Sequence, residues 1–512
     1  MPDGYYLCQE DHPLKRLQLP LDMIGASLDF LDGRSLTQFE MVSRWTRRAM
    51  TYEYPDMYKV LLMRQLANVP QMTALRRENC KRAIIAWDAG DFQPFNVPPF
   101  HAEPSARYLH RVALAGDGWH YLFGGHLKLG MAGDVWRFRI EEDPRKCSRS
   151  LCVRWEEVDG EFSAGPRGDN ANETDIDPNA TDEPGEVGRD HGAGPAHEDD
   201  TGSGFRVPSP RPCARCAASW TCSPGSRKIY LFGGQGSGEN FLGDLWCFHS
   251  GGRGECRWEL LTAVQADVAP GERGEGDQGD APEALEGRWG HTMAEHRGLM
   301  YMFGGSFPGQ ACAGLWRLDT SVRPCLWSFL RPEGQKPQAR GGHSATVVGD
   351  TLYIFGGNTM EEVFNDLWAI DLPECKAWRR VPQTPDFPPP RIGHSAMVIG
   401  NRILIYGGRN FNTGRYTTGL SCFDTDKERF LSFPHAEAFS KRATERGGMW
   451  YDLRMTGHSA VLCSRGLLIV GGLLPPGHPT MAAWVLDVVG DRLRTRGRRR
   501  SVSGTNGKCG MS

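Results

Sequence analysis

The chain has 512 residues, of which 39% are hydrophobic and 24% charged, and its formal net charge is −3. This composition is typical of a globular protein with room for one large and one smaller domain. So small a net charge provides no basic field for nucleic acid or an anionic membrane, and no apolar run reaches the roughly 18 residues of a membrane span. We therefore expect no nucleic-acid or membrane partner, and a cytoplasmic or nuclear location because no signal-peptide pattern opens the chain.

Fifteen cysteines are scattered mostly singly along the chain, and without an export signal they indicate reduced thiols rather than a disulfide framework. One close pair, Cys213-x-x-Cys216, has Cys222 nearby. It lacks a second pair at the spacing of a zinc finger. The sequence therefore predicts neither a metal site nor a cofactor.

The first predicted elements are helices within residues 17–60. Pro20 can open one helix, Gly33 interrupts it, and Ser35 can cap the next. The apolar residues form two stripes at helical spacing, Leu21, Ile24, Leu28 and Leu31, then Leu36, Phe39, Val42 and Trp45. The pattern predicts a unit of three short helices, and residues 61–104 continue as a helical linker.

The same residues resemble the F-box. The shared order is Leu-Pro-x-Asp, a spaced apolar run, Phe-Leu-Asp, Ser-Leu and Val-Ser-Arg-Trp. The resemblance implies docking on the Skp-type adaptor of a cullin-based ubiquitin ligase. The positions that match the family's characteristic residues are Leu19, Pro20, Ile24, Leu28, Leu31, Leu36, Val42 and Trp45. Ser43 stands where cysteine is commoner, which would weaken docking. The alternative is an ordinary helical cap packed on the rest of the protein.

A repeat occupies the remainder of the chain. Six Gly-Gly pairs each close a short apolar run, at Gly124-Gly125, Gly233-Gly234, Gly304-Gly305, Gly356-Gly357, Gly407-Gly408 and Gly471-Gly472. The regular spacings, from 304 to 356 and from 356 to 407, are 52 and 51 residues. A period of about 50 residues is typical of β-propeller blades.

Residues 340–381 show one complete unit. Two β-rich runs, 343–348 and 351–355, are joined by a Gly-Asp hairpin signal, and two further runs follow at 366–370 and 377–381. Histidine recurs before strand one, and Asp-x-Trp marks strand three, although the second unit lacks the histidine and the fifth lacks the tryptophan. The pattern is similar to the kelch family over residues 105–490. It implies a mainly β fold, a six-bladed kelch propeller preceded by the small helical domain.

Three inserts and a basic tail interrupt or follow the repeat. The inserts span about 159–210, 266–286 and 434–454, and the first two are acidic, Gly-rich and expected to be disordered. The tail covers residues 491–512. Its segment Arg492–Arg496 follows Trp484 at the spacing expected of the last outer strand, whereas a strand near residues 92–97 is the alternative.

One face of the propeller collects the inter-blade turns and the loops after each Gly-Gly pair. It carries Arg107, Arg288, Arg340 and Arg391 in the turns and Arg409 after a Gly-Gly pair. In kelch substrate receptors, arginines at such positions hold acidic peptides, so the resemblance implies an acidic or phosphorylated protein substrate; equally, such arginines can brace the loops. We expect a non-catalytic substrate-recognition subunit of a Skp–cullin–F-box ligase. The alternative is a kelch scaffold without ubiquitin transfer.

Overall fold

The computed structural model describes residues 93–100, 102–143, 151–158, 210–238, 240–251, 255–266, 285–359, 361–417, 419–431, 454–463 and 466–487. In these residues the chain forms six antiparallel four-stranded blades, one with an added edge strand, and one small hairpin. The prediction of a mainly β, six-bladed propeller is confirmed. The F-box-like unit, most of the three inserts and the basic tail lie outside the described residues. No helix among the described residues is long and apolar enough to cross a membrane.

The first half of the ring begins with a strand of the last blade. That strand is β1 (Gln93–Val97). Blade 1 contains β2 (Arg111–Leu114), β3 (His120–Phe123), β4 (Val135–Glu142) and β5 (Leu151–Glu157). Blade 2 contains β6 (Ser219–Cys222), β7 (Lys228–Phe232), β8 (Leu245–His249) and β9 (Arg257–Leu261). Next come β10 (Ala263–Gln265), β11 (Thr292–His296), β12 (Leu299–Phe303), β13 (Ser306–Phe307), β14 (Gln310–Ala311), β15 (Leu315–Asp319) and β16 (Cys325–Leu330).

Blade 3 consists of β11, β12, β15 and β16, and β10 joins it as a parallel edge strand beside β16. The hairpin of β13 and β14 forms the loop between its second and third strands. Blade 4 contains β17 (Ser344–Val348), β18 (Thr351–Phe355), β19 (Leu367–Asp371) and β20 (Arg379–Arg380). Blade 5 contains β21 (Ser395–Ile399), β22 (Arg402–Tyr406), β23 (Leu420–Asp424) and β24 (Arg429–Leu431). Blade 6 contains β25 (Ser459–Cys463), β26 (Gly466–Leu474), β27 (His478–Asp487) and β1.

The six blades close into a ring around a central channel. Their innermost strands, β2, β6, β11, β17, β21 and β25, contact one another in sequence, and β25 contacts β2. Aromatic and aliphatic side chains fill the wedges between blades; for example, Phe303 of blade 3 packs with Leu352 and Trp368 of blade 4. Trp316 and Trp327 are completely buried. The recurring tryptophans are therefore core residues, as large apolar groups between wedge-shaped blades should be.

The ring closes through the N-terminal side of the propeller. β1 pairs antiparallel with β27, and the chain then runs on to blade 1, where Phe100 N–H donates to the carbonyl oxygen of Val153 at 2.9 Å. The helical linker predicted up to residue 104 is therefore wrong over 93–97. The outer-strand position predicted for Arg492–Arg496, which lie outside the described residues, is held by β1. The alternative, closure by a strand near 92–97, is the one observed.

Candidate functional site: the mouth of the propeller

The arginines of the inter-blade turns are buried inside the blades. Arg107, Arg288, Arg340 and Arg391 each expose 0–1% of their surface, and so does Arg215 at the same place in blade 2. Each guanidinium donates through Nη1 to the carbonyl oxygen of the first glycine of its blade's Gly-Gly pair, at 3.0–3.3 Å. Each Nε donates to the carbonyl two residues upstream, at 2.9–3.2 Å. Each of these five side chains therefore links the segment that enters its blade to the Gly-Gly turn after the second strand of the same blade.

In three blades the aspartate of the Asp-x-Trp motif completes this clamp. Asp134, Asp244 and Asp366 accept from the two Nη atoms of Arg107, Arg215 and Arg340, at 2.5–3.1 Å. The same carboxylates accept from the indole N–H of the motif's tryptophan at 2.6–2.7 Å. Burial raises the pKa of each carboxyl, but the hydrogen bonds and charge of the arginine outweigh it, so the pKa lies below its ordinary value.

Blades 3 and 5 have glycine in place of this aspartate, at Gly314 and Gly419. In blade 5 Arg391 contacts the carbonyls of Pro389 and Gly407, and no carboxylate among the described residues pairs with it. Burial accordingly lowers the pKa of Arg391 to about 9. Without a carboxylate, the two carbonyl contacts hold Arg391 at the position that the other turn arginines occupy in their blades.

This geometry corrects the prediction for the turn arginines. Arg107, Arg288, Arg340 and Arg391 are not accessible to a substrate, because their guanidinium groups point into their own blades. The alternative interpretation, that such arginines brace loops, describes them. Of the five arginines singled out, only Arg409 is partly accessible at the mouth.

The recurring histidines at the start of strand one are also structural. These strand-start histidines are His110, His291, His343, His394 and His458, all at most 7% exposed. In four of them Nε2 lies 2.6–3.1 Å from a serine or threonine hydroxyl on the inner strand of the preceding blade. Burial, and for most of them neighbouring arginines, lowers the pKa, to about 3 for His291 and His458. They are neutral side chains that join neighbouring blades.

Twelve residues line the entrance of the channel, and we call them the mouth. In each blade the residue after the turn arginine, or after Met455 in blade 6, exchanges both backbone hydrogen bonds with the residue after the Gly-Gly pair, at 2.7–3.1 Å. The six pairs are Tyr108 with His126, Cys216 with Gln235, Trp289 with Ser306, Gly341 with Asn358, Ile392 with Arg409, and Thr456 with Leu473.

A second ring of backbone hydrogen bonds lies beside these pairs. Each turn residue after the mouth position donates its N–H to the carbonyl of its counterpart in a neighbouring blade, at 2.7–3.1 Å; the six residues are Leu109, Ala217, Gly290, Gly342, Gly393 and Gly457. All six have φ between 51° and 67°, where glycine is favoured and leucine or alanine is strained. Backbone groups of the mouth residues are thus bonded within the six pairs, and those of the second ring within that ring. Recognition at the mouth would therefore rest on side chains.

The mouth side chains are varied and partly accessible. Nine of the twelve are partly buried, and Cys216, Gly341 and Thr456 are buried. Tyr108 stacks on His126 with 5.0 Å between ring centroids, and the Arg409 guanidinium lies 4.3 Å from the ring centroid of Phe411, which is 49% exposed. Burial raises the pKa of Tyr108, and the charge of Arg409 opposes that shift. These two mouth side chains are therefore near enough to interact electrostatically.

Sequence reasoning missed most of these residues. The repeated arginine and histidine dominate the sequence pattern, but their side chains stabilise the blades and the contacts between blades. The available signal was the one position between them that changes in every blade: tyrosine, cysteine, tryptophan, glycine, isoleucine and threonine follow the arginine or its Met455 substitute. A variable residue between two fixed structural ones is where a repeat can vary its surface without losing its fold. The F-box-like residues Leu19, Pro20, Ile24, Leu28, Leu31, Leu36, Val42 and Trp45 lie outside the described part of the chain.

Comparison with known proteins agrees with the fold. A family model described as the KLHDC2/KLHL20/DRC7 Kelch-repeats domain matches residues 278–449. Rat Kelch domain-containing protein 3 is 29% identical over 239 residues, which are 44% of this chain and 59% of that protein. Acyl-CoA-binding domain-containing protein 5 of Arabidopsis thaliana is 29% identical over 48% of this chain and 34% of its own length.

A fission yeast protein, Tip elongation aberrant protein 1 of Schizosaccharomyces pombe, is 31% identical over 37% of this chain and 15% of its own length. The chain thus spans a little over half the length of the first of these relatives and less of the others. The family match begins at residue 278, so the F-box resemblance rests on the sequence pattern alone. Together with the six blades, the matches show that this chain contains a kelch-repeat domain folded as a β-propeller.

Proposed function

We propose that this chain is the substrate-recognition subunit of a Skp–cullin–F-box ubiquitin ligase. In this proposal the mouth of the propeller binds a protein substrate, and residues 17–60 dock on the Skp-type adaptor and through it on a cullin. The chain itself carries out no bond chemistry. The thioester chemistry belongs to partner chains, and this chain contributes proximity between substrate and enzyme.

The observation that carries the binding half of the proposal is the chemistry of the mouth. Its backbone groups are hydrogen-bonded in pairs, so an extended strand cannot be added there. Tyr108, Trp289 and Arg409 are partly accessible, and these three residue types are the ones that most often dominate protein–protein binding energy. A surface with such side chains in a concave setting suits a protein segment.

The charge of the mouth favours an acidic segment. Arg409 is its one lysine or arginine, and none of its twelve residues is acidic. Lys128 and Arg415 are exposed on the adjoining loops, and Glu361 and Glu362 on the blade 4 loop partly oppose them. Because arginine pairs carboxylates and phosphates bidentately, we expect an acidic or phosphorylated substrate segment bound near blades 5 and 1.

The ligase half of the proposal is supported by the F-box resemblance. Leu19, Pro20 and the spaced apolar positions up to Trp45 match one motif at both of its ends, which a generic helical cap has no reason to do. The test is recovery of a purified Skp-type adaptor by the full chain. Pro20→Ala with Ile24→Asp should abolish recovery, because a carboxylate at an apolar interface position costs several kcal/mol.

The matched control is Arg409→Ala, which should recover the adaptor like the unsubstituted chain. Both variants should keep the thermal melt of the propeller, so that a loss reports docking and not unfolding. Undiminished recovery of the adaptor by the double variant would remove the F-box assignment. The alternative function would then stand, a kelch scaffold that binds proteins without ubiquitin transfer. The comparisons support the propeller that both functions share.

A further inference from the structure

Three potential metal ligands converge on the outer half of blade 2, away from the mouth. Cys247 and His249 are two residues apart on β8 and therefore point to the same side of the sheet. Glu259 lies directly opposite Cys247 on β9. One ligating atom from each residue lies within 4.8 Å of the others, and His249 Nε2 is 2.7 Å from Glu259 Oε2.

We propose that Cys247 Sγ, His249 Nε2 and a Glu259 carboxylate oxygen bind one zinc-like divalent cation. Thiolate, imidazole and carboxylate are the three protein ligand types that Zn²⁺ uses, and a bound ion draws them closer than they lie when it is absent. Three protein ligands leave one tetrahedral position for water or another small donor. This site is independent of the proposed substrate binding.

The surroundings allow an ion to enter from one side. Cys247 is 2% exposed, and its neighbours in the core between blades 2 and 3 include Tyr230 and Cys325. The side chains of His249 and Glu259 are 18% and 37% exposed, so solvent reaches the open side of the cluster. The ion would therefore bind with its sulfur ligand in the core and its oxygen ligand at the surface.

The nearby charges bear on which ion fits. Lys228, Arg257 and Arg323 all act electrostatically on Cys247. They oppose a further cation, which disfavours Mg²⁺ and Ca²⁺ because these bind mainly through charge to oxygen ligands. An ion that bonds strongly to sulfur and nitrogen overcomes the opposition better. Burial raises the pKa of the Cys247 thiol to about 12, so the ion has to displace a proton from sulfur, as metals do when they bind a thiol.

Such an ion would fasten β8 to β9 next to the point where the chain leaves blade 2. β9 ends at Leu261, and β10 starts at Ala263 and pairs with blade 3. The region would gain stability from metal binding, since an ion that binds only the folded state stabilises it. The expected readout is therefore both binding and a metal-dependent melt.

The test uses the full chain after removal of metal, with Zn²⁺ for equilibrium dialysis and Co²⁺ as a spectroscopic probe of sulfur ligation. Cys247→Ala and Glu259→Gln should each weaken Zn²⁺ binding at this site at least about tenfold, because even losing a residue that only supports a metal ligand costs that much. Cys247→Ala should also abolish one sulfur-to-Co²⁺ charge-transfer absorption. The matched control, Cys422→Ala, removes an equally buried thiol in blade 5 and should bind like the unsubstituted chain.

Glu259→Gln guards against misfolding, because its side chain is partly exposed and glutamine can keep the contact with His249. Zn²⁺ should raise the melting temperature of the unsubstituted chain more than that of this variant. Equal stoichiometry and affinity in Cys247→Ala, Glu259→Gln and the Cys422→Ala control would overturn the proposal. So would the absence of any Co²⁺ absorption that depends on Cys247. Neither result bears on adaptor or substrate binding, which the mouth and residues 17–60 decide.

Discussion

Replacing Asp366 by alanine should destabilise the propeller by about 4 kcal/mol, because it leaves a buried guanidinium without its counter-ion. Asp366 accepts from Arg340 Nη1 at 2.6 Å and Nη2 at 3.1 Å, and from Trp368 Nε1 at 2.7 Å. After the substitution Arg340 keeps the carbonyls of Gln338 and Gly356. Those two contacts neutralise none of its charge.

Solvent exposure of the aspartate sets the expected size of the effect. Removing one partner of a buried ion pair costs about 3–5 kcal/mol, and the Asp366 side chain is only 11% exposed. The equivalent side chains of Asp134 and Asp244 are 32% and 29% exposed, so water can take over part of their role. We expect about 2–3 kcal/mol for alanine at either of these two positions.

The assay is urea-induced unfolding of the full chain, followed by tryptophan fluorescence. The control is Asp350→Ala, whose side chain is 54% exposed and pairs with Arg297, and it should cost less than about 1 kcal/mol. The double variant Arg340→Met with Asp366→Leu should be more stable than Asp366→Ala, because it buries no unpaired charge. If Asp366→Ala cost no more than the control, the view that these arginines are scaffold clamps would be refuted.

Three other predictions concern pH, binding and ring closure. Lowering the pH from 7 to about 5.5 should reduce the free energy of unfolding by about 1 kcal/mol per strand-start histidine, because the histidine pKa is lower in the folded chain and the unfolded chain binds the protons first. This stability is fully present above about pH 6.5. If His343→Gln with His394→Gln left the midpoint of acid unfolding unmoved, the reasoning would be contradicted. Arg409→Ala should weaken an acidic partner about tenfold in calorimetry, more at low salt than at high salt, with an unchanged melt; full affinity would exclude a role in binding. Val97→Asp places a carboxylate at a site that is 1% exposed in the strand that closes the ring, so it should lower the melting temperature markedly, whereas removal of residues 491–512 should leave it unchanged. A large loss of stability on removing the tail, with little effect of Val97→Asp, would instead indicate that the tail closes the ring.

The fold could be predicted because its signals are local and repeated. The Gly-Gly pairs follow strand two in blades 1 to 5 and lie within it in blade 6. Gly356 and Gly357 have φ of 65° and 94°, which a residue with a Cβ rarely adopts. The Asp-x-Trp motif recurs for an equally local reason, since Asp366 accepts from the indole of Trp368 two residues later. Such motifs identify a blade wherever they occur.

The role of the arginines could not be predicted from their position in the turn alone. A turn arginine can point into the channel or back into its own blade, and the sequence pattern is the same. The partner that decides it is far along the chain, 27 residues away for Arg107 with Asp134 and 26 for Arg340 with Asp366. Ring closure was hard for another reason: Gln93–Val97 contains a proline and no repeat landmark, and it pairs with a strand almost 400 residues later.

The most direct test of the account is one crossed affinity purification of the full chain, with bound proteins quantified by mass spectrometry. Tyr108→Ala with Arg409→Ala alters the mouth, and Pro20→Ala with Ile24→Asp alters the F-box-like segment. We predict that the mouth variant loses its substrate proteins and keeps the Skp-type adaptor and cullin, whereas the second variant does the opposite. Recovery of the same proteins by both variants and the unsubstituted chain would contradict the proposed substrate receptor.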